Sequence, residues 1–382
     1  MTDDNKSVYE HLLPAGIQSR QVPDVNGLNV HLLEAGDPDA PTVLLLHGFP
    51  ELAYSWRKLM PPLAEAGYHV LAPDLRGYGC TTGADHRYDA DLMSFRMGNF
   101  VIDALALLFA CGVSEVACVV GHDYGSPVAA HCALTRPDVF RSVVLMSAPF
   151  GGGPSLPFAG SRGTSVARVD IETELAALPR PRKHYRWYYG TQVANDDMWH
   201  AEQGVHDFLR AYYHVKSADW SSNKPHPLTA WQASELAKMP TYYVMDLNET
   251  MAETVAHHMP DASSISSCGW LTENELSVYS GEYGRTGFQD GLQSYRCGVD
   301  PKYSADLRLF AGLTIDVPSL YVAGAQDWSV YQTPGALKAM QDHACTDMRG
   351  VHLVEGAGHW VQQEQPKAVM SHLLAFLTHA TG

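Results

Sequence analysis

Between residues 28 and about 148, five short apolar runs alternate with stretches of helical character: "NVHLLEAG", "TVLLLHGFP", "YHVLAPDL", "EVACVVGHD" and "SVVLMSAPF". Parallel strands can be joined only by crossovers long enough to hold a helix, and such crossovers are right-handed. The pattern therefore predicts an α/β core, a mostly parallel sheet flanked by helices. Alternation returns near the carboxyl end with "DVPSLYVAGAQD", the helix-like "TPGALKAMQDH", the run "GVHLVEGAGHW" and a closing helix "PKAVMSHLLAFLTHA". These runs complete the sheet begun earlier. Between the two blocks "PFGGGPSLPFAGSRG" breaks regular structure, and the chain then turns aromatic and helical without core strands. We read residues 1–150 as the first part of the core, 151–298 as an inserted, mainly helical lid, and 299–382 as the second part of the core.

A chain of 382 residues, 46% hydrophobic and 18% charged, buries a large core and has room for roughly two domains. Its 42 acidic residues outnumber 26 basic ones for a net charge of −16, which opposes nucleic acid as a partner because phosphate binding needs a basic surface. A small neutral organic substrate is expected instead. Seven cysteines with no CxxC pair read as reduced packing residues, which points to the cytoplasm. The start "MTDDNKSVYEHLLPAG" lacks the basic and apolar segments of a signal peptide, and no run approaches the ~18 apolar residues of a membrane span. The pair His257-His258 has no carboxylate or cysteine at metal-ligand spacing, so no metal is expected there.

The chemistry centres on "VVGHDYGSPVAA", residues 119–130: an apolar strand, a turn with glycine on both flanks, and a small-residue helix. Gly121-His122-Asp123-Tyr124-Gly125 matches a nucleophile elbow, in which a sharp strand-to-helix turn exposes its central side chain. Aspartate also caps helices, so the turn alone does not decide. Its companions do, because they follow in the order nucleophile, acid, histidine. Asp327 ends the strand "LYVAGAQD", and His359 sits in the loop "GAGHW". Both fall at the carboxyl edge of a parallel sheet, where functional residues converge. The stretch "LLLHGFP" directs the Phe49 N–H toward the nucleophile, and with the Tyr124 N–H it makes an oxyanion hole. Pro50 is a candidate for a cis peptide bond.

At this point the chain resembles the epoxide hydrolase branch of the α/β-hydrolase superfamily. The resemblance rests on "HGFPELAYSWR", "DLRGYG", "GHDYG", "GWLTENELSVY", "GFQDGLQSYR", "GAQDWSVYQTPGALKAM" and "GAGHWVQQEQP", in that order. It implies an α/β-hydrolase fold with a cap, Asp123 as nucleophile, His359 as general base and Asp327 as its orienting acid. The family also uses two lid tyrosines. "GLQSYR" places one at Tyr295, and "KHYRWYYGT" places the other at Tyr185, with Tyr188, Tyr189 and His184 as nearby alternatives. His184 and Trp360 are further candidates for substrate contact. The implied reaction opens an epoxide to a vicinal diol through an ester on Asp123, with water as the second substrate and no cofactor. The lid is longer than the family's usual one, with the excess around "VKSADWSSNKPHPLTAWQ" and "MAETVAHHMPDASSISS", which leaves room either to cover the pocket or to form a homodimer interface.

Two rivals share parts of this pattern. Haloalkane and haloacid dehalogenases use the same aspartate, but they hold halide or carboxylate with N–H donors at places occupied here by Tyr124 and Phe49. A non-catalytic ligand binder on the same fold would be expected to lack a triad member, and none is missing. The family's usual tryptophans after the nucleophile and before the second lid tyrosine are Tyr124 and Ser294 here, which implies a reshaped pocket.

Overall fold

Eight strands form the central sheet in the order β1-β2-β4-β3-β5-β6-β9-β10. They are β1 (Ile17–Val25), β2 (Leu28–Ala35), β3 (Thr42–Leu46), β4 (His69–Pro73), β5 (Cys118–His122), β6 (Val143–Met146), β9 (Ser319–Gly324) and β10 (Met348–Val354). A separate two-stranded ribbon pairs β7 (Arg182–His184) with β8 (Val244–Asp246). This computed structural model describes residues 12–154 and 170–380; the start of the chain and the "SLPFAGSRG" part of the predicted break lie outside the described residues.

The six strands from β4 to β10 run parallel, and β2 pairs antiparallel with both β1 and β4. Every residue of β3, β4, β5, β6 and β9 is buried. That is why these segments read as unbroken apolar runs rather than alternating ones. Helix Gly125–Thr135 packs on β5 and β6, whereas Met60–Glu65 packs on β4 and against Pro366–Ala380.

Chain order places a switch at β3. From β3 the chain steps to β4 on one side, then returns to pair β5 on the other. The crevice beyond the carboxyl ends of β3 and β5 is where an open α/β sheet binds its ligand. Leu46 pairs with Gly121 across these strands, so the loops bearing Phe49 and Asp123 leave the sheet side by side.

Two strands depart from the sequence reading. The edge strand β1 is "IQSRQVPDV", only partly buried, with a register shift between Val22 and Val25. An edge strand needs apolar residues only where it meets the sheet, so its run is not apolar. The ribbon β7–β8 lies within the segment read as helical. Each of its strands spans three residues, too few to show a period.

The helical segment rests on the core through polar contacts. Tyr213 O–H donates to Pro50 O at 3.0 Å, Tyr283 O–H donates to Glu51 O at 3.1 Å, and Tyr279 shares a 2.9 Å hydrogen bond with Ser55. Thr272 and Glu275 form a capping box at the start of helix Glu273–Thr286, satisfying N–H groups that have no intrahelical partner. Glu275 also accepts from the buried Arg57 guanidinium at 2.9 Å, so one carboxylate both starts the helix and ties it to the core.

Candidate active site

Asp123 follows β5 directly and has φ +50°, a left-handed conformation that is uncommon outside glycine and recurs at functional turns. The turn is tight enough that its flanking glycines cannot carry side chains. A Cβ on Gly121 would lie 2.0 Å from Gly125 O, and one on Gly125 would lie 2.1 Å from Leu46 O. The strand-to-helix reversal therefore brings helix Gly125–Thr135 against β3 and leaves the Asp123 carboxylate at the sheet edge.

One carboxylate oxygen is held and the other is free to react. The Phe49 N–H donates to Asp123 Oδ1 at 3.0 Å, and the Phe49–Pro50 peptide is cis. Tyr124 stands at the amino end of helix Gly125–Thr135, where backbone N–H groups lack intrahelical partners. Asp123 Oδ2 lies 3.3 Å from His359 Nε2. That contact is not aligned as a hydrogen bond, so Nε2 is left without a hydrogen-bond partner among the described residues.

His359 Nδ1 lies 3.2 Å from both Asp327 oxygens and 3.0 Å from Ser329 Oγ. These contacts place a proton on Nδ1, and in the neutral ring Nε2 is then the acceptor. Asp327 is oriented by the Ser329 N–H at 2.8 Å. The His359 backbone is held as well: its N–H donates to Lys216 O at 2.8 Å, and its carbonyl accepts from His122 Nε2 at 2.7 Å. His122 in turn forms a fully buried 2.6 Å ion pair with Glu51.

Burial pushes the Asp123 carboxyl up, but the contact and charge of His359, then Lys216 and His122, outweigh it and hold the group well below the usual carboxylate range. It is ionised at neutral pH. Burial likewise opposes ionisation of Asp327, and the charge and hydrogen bond of His359 with the Ser329 N–H keep its pKa lowered. The phenols behave oppositely. Burial, reinforced by the Asp123 charge, raises Tyr185 and Tyr295 above the ordinary phenol value of 10.0, so both are protonated.

Asp123, Tyr124, Tyr185, Tyr295, Arg186 and Gln332 stand on the wall of one cavity of about 220 Å³. The structure thus separates the four candidates in "KHYRWYY". Tyr188 O–H donates to Asp197 at 2.7 Å and Tyr189 O–H to Tyr212 at 3.2 Å, both off this wall, while Tyr185 stands on it and donates to Gln332 Oε1 at 3.2 Å.

Two expected substrate contacts lie off that wall. His184 is buried behind Tyr185 with its ring stacked at 5.1 Å, and it caps the following helix by accepting the Arg186 N–H. Trp360 is fully buried, donates its indole N–H to Tyr213 O at 2.9 Å and packs on the Tyr213 and His359 rings. Both pack beside the site, off the wall of this cavity.

The chain matches the α/β hydrolase fold family over residues 41–366. It is 32% identical to epoxide hydrolase A of Mycobacterium tuberculosis over 369 residues, covering 95% of this chain and 98% of that protein. The chain belongs to the epoxide hydrolase branch of that family. An epoxide hydrolase structure from an endophytic Streptomyces superposes with a TM-score of 0.76 at 32% identity, covering 96% of each chain. Potato (Solanum tuberosum) epoxide hydrolase I gives 0.69 at 30% identity, covering 95% of this chain and 99% of that one.

Within this epoxide hydrolase framework, several residues at the site carry no sequence signal. Lys216 is buried with its ammonium 5.0 Å from the Tyr243 ring, 5.1 Å from Tyr212 and 5.6 Å from Trp360, a cation held by aromatic faces. Burial lowers its pKa, and Asp123 and Asp327 oppose that shift. Ser329, Arg186, Gln332 and the Glu51–His122 pair were likewise not foreseen. Ser329 meets His359, Arg186 meets Gln332 and Glu51 meets His122 only through the fold.

Proposed function

We propose that the protein hydrolyses an epoxide to a vicinal diol through an alkyl ester on Asp123. The observation that carries this reading is one ionised carboxylate whose Oδ1 accepts a backbone N–H, facing a cavity that two protonated phenols also line. Residues 151–298 act as the cap that brings Tyr185 and Tyr295 over the nucleophile.

In this reading Asp123 Oδ2 attacks a ring carbon and the carbon–oxygen bond of the epoxide breaks. The departing oxygen takes a proton from Tyr185 or Tyr295, because an alkoxide leaves poorly without one. Water then gives a proton to His359 Nε2 while its oxygen attacks Cγ of the ester, and Asp327 orients the imidazole and stabilises its charge. Negative charge gathers on Oδ1, where the Phe49 and Tyr124 N–H groups stabilise it. Collapse breaks the Cγ–Oδ2 bond as the imidazolium gives its proton to the departing oxygen; the diol leaves with one oxygen from Asp123, and the proton of the regenerated carboxylic acid restores the phenol. The residues act without assistance from a cofactor.

The test is a single turnover of styrene oxide in oxygen-18 water, beside bromo- and chloroalkanes and fluoroacetate, with intact-mass analysis of His359→Gln. The diol of the first turnover should carry an unlabelled enzyme oxygen, and His359→Gln should accumulate an alkyl adduct on Asp123. Asp123→Asn should lose about 10³-fold or more in kcat. Label entering the first diol directly, with no adduct, would overturn the nucleophile. Halide release with epoxides untouched would replace this reading with dehalogenation.

A further inference from the structure

The cavity wall carries a guanidinium that pairs with no acid among the described residues. Four arginines are nearly buried among the described residues, and each lies within 4.0 Å of a carboxylate: Arg57 with Glu275, Arg76 with Asp103, Arg182 with Asp246 and Arg210 with Glu273. Arg186, half-buried on the wall of the active-site cavity, departs from that pattern. Its Nε reaches Tyr185 Oη at 3.4 Å and its Nη2 reaches Gln332 Oε1 at 3.3 Å. Both acceptors are neutral and both contacts are long. They engage two of the five donors in the guanidinium fork, which leaves paired N–H groups for a planar anion.

Position decides what that anion is attached to. Tyr185 Oη, where the ring oxygen of an epoxide would be protonated, is the atom Arg186 Nε approaches. An anionic group bound by the fork is therefore only a few bonds from the epoxide ring. The cavity, about 220 Å³, is below the ~300–1,000 Å³ of drug-sized ligand pockets, so the rest of the substrate is small. A carboxylate matches the guanidinium bidentately, and partial burial strengthens the pairing relative to water.

We propose that the substrate is an epoxide bearing a carboxylate on the ring or one carbon removed from it, and that Arg186 pairs with that carboxylate. The inference rests on the epoxide-opening reading and narrows it. It also revises the expectation of a neutral substrate, which came from the net charge of −16. The field a substrate meets is set by the cavity wall, where Arg186 stands beside Tyr185. Water activation on His359 is unchanged, and the product is a 2,3- or 3,4-dihydroxy acid.

The full chain is tested with trans-3-phenylglycidate against trans-β-methylstyrene oxide, which replaces the carboxylate by methyl. The wild-type kcat/KM ratio, acid over neutral, should exceed about tenfold at low ionic strength and shrink with added salt, as a charge pair at a partly exposed site does. Arg186→Gln should lower that ratio by about 30-fold or more, mostly through KM for the acid. Arg186→Lys should fall between, keeping the charge but losing the fork. A wild-type ratio at or below one overturns the proposal. So does an unchanged ratio in Arg186→Gln with both substrates slowed together, since Arg186 would then serve Tyr185 alone. If only the neutral epoxide is hydrolysed, this inference falls and the epoxide reading stands. If neither epoxide yields a diol, both fall.

Discussion

The pairing of Asp123 with Tyr185 and Tyr295 moves charge in a direction that favours reaction. Before attack, burial raises both phenols and the Asp123 carboxylate adds to it, against the opposing Arg186 charge at Tyr185, which keeps them protonated but makes them weak acids. Once Oδ2 has formed the ester, Asp123 is neutral and its push on the phenols disappears. Proton transfer to the departing oxygen is thereby tied to bond formation at carbon. Tyr295→Phe and Tyr185→Phe should each slow formation of the alkyl-enzyme by about 10²-fold, at the low end of a positioned general acid. Rapid-quench intact-mass analysis reads that step directly, and alkylation of Tyr295→Phe at the wild-type rate would remove Tyr295 from the reaction. Asp123, Asp327 and His359 were legible in the sequence because each sits in a short loop that follows a recognisable strand. Lys216 was not, because the rings that cage it, at Tyr212, Tyr243 and Trp360, are scattered along the chain. Arg186 was not, because an unpaired charge differs from a paired one only in three dimensions.

Secondary structure follows a similar division between local and distant causes. The buried parallel strands were evident as apolar runs, and the order β5, turn, helix was evident from "VVGHDYGSPVAA". The edge strand β1 was hidden by its polar residues, and the ribbon β7–β8 by its brevity. At the elbow the glycine spacing is a packing requirement of the elements themselves. A Cβ on Gly125 would stand 2.1 Å from Leu46 O and 2.6 Å from Leu46 C, both backbone atoms of a strand paired on either side. The helix must move away, and Asp123, two residues earlier, moves with it. Gly125→Ala should destabilise the fold by about 1–3 kcal/mol, the range for an overpacked core. Turnover should fall by more than the unfolded fraction accounts for, since a displacement of about 1 Å at a reacting group costs on the order of 10²-fold. Urea unfolding with kcat measured on the folded enzyme separates the two effects. A variant as stable and active as the wild type would mean that the turn is looser than its geometry.

At the scale of the whole molecule, the fold refuses protons that the unfolded chain accepts. His184 is held well below 6.5 by burial and then by the Arg186 charge, and burial also lowers His47 against the carboxylates around it. Above about pH 6.5 both rings are neutral in either state and titration contributes no slope. As pH falls below that value, the unfolded chain takes up a proton on each ring while the fold does not, so stability is lost with acidification. Asp74, Glu51 and Asp327, whose folded values are lowered, add a second loss. Their contribution is present above the ordinary carboxylate range and disappears as pH falls through the lowered values. His122, raised overall because Glu51 outweighs its burial, works the other way: its contribution is complete below 6.5 and is lost as pH rises through its folded value. Unfolding free energy should therefore decline from about pH 6.5 to 5 and more steeply below about pH 4.5. His184→Asn keeps an acceptor for the Arg186 N–H that His184 now caps at 3.3 Å and removes the titrating ring. Between pH 6 and 5 its stability should fall less steeply than the wild type's by about 1.4 kcal/mol per pH unit, the value of one proton. Urea titrations at pH 7, 6 and 5 on both proteins give the two slopes, and equal slopes would show that His184 takes up its proton inside the fold.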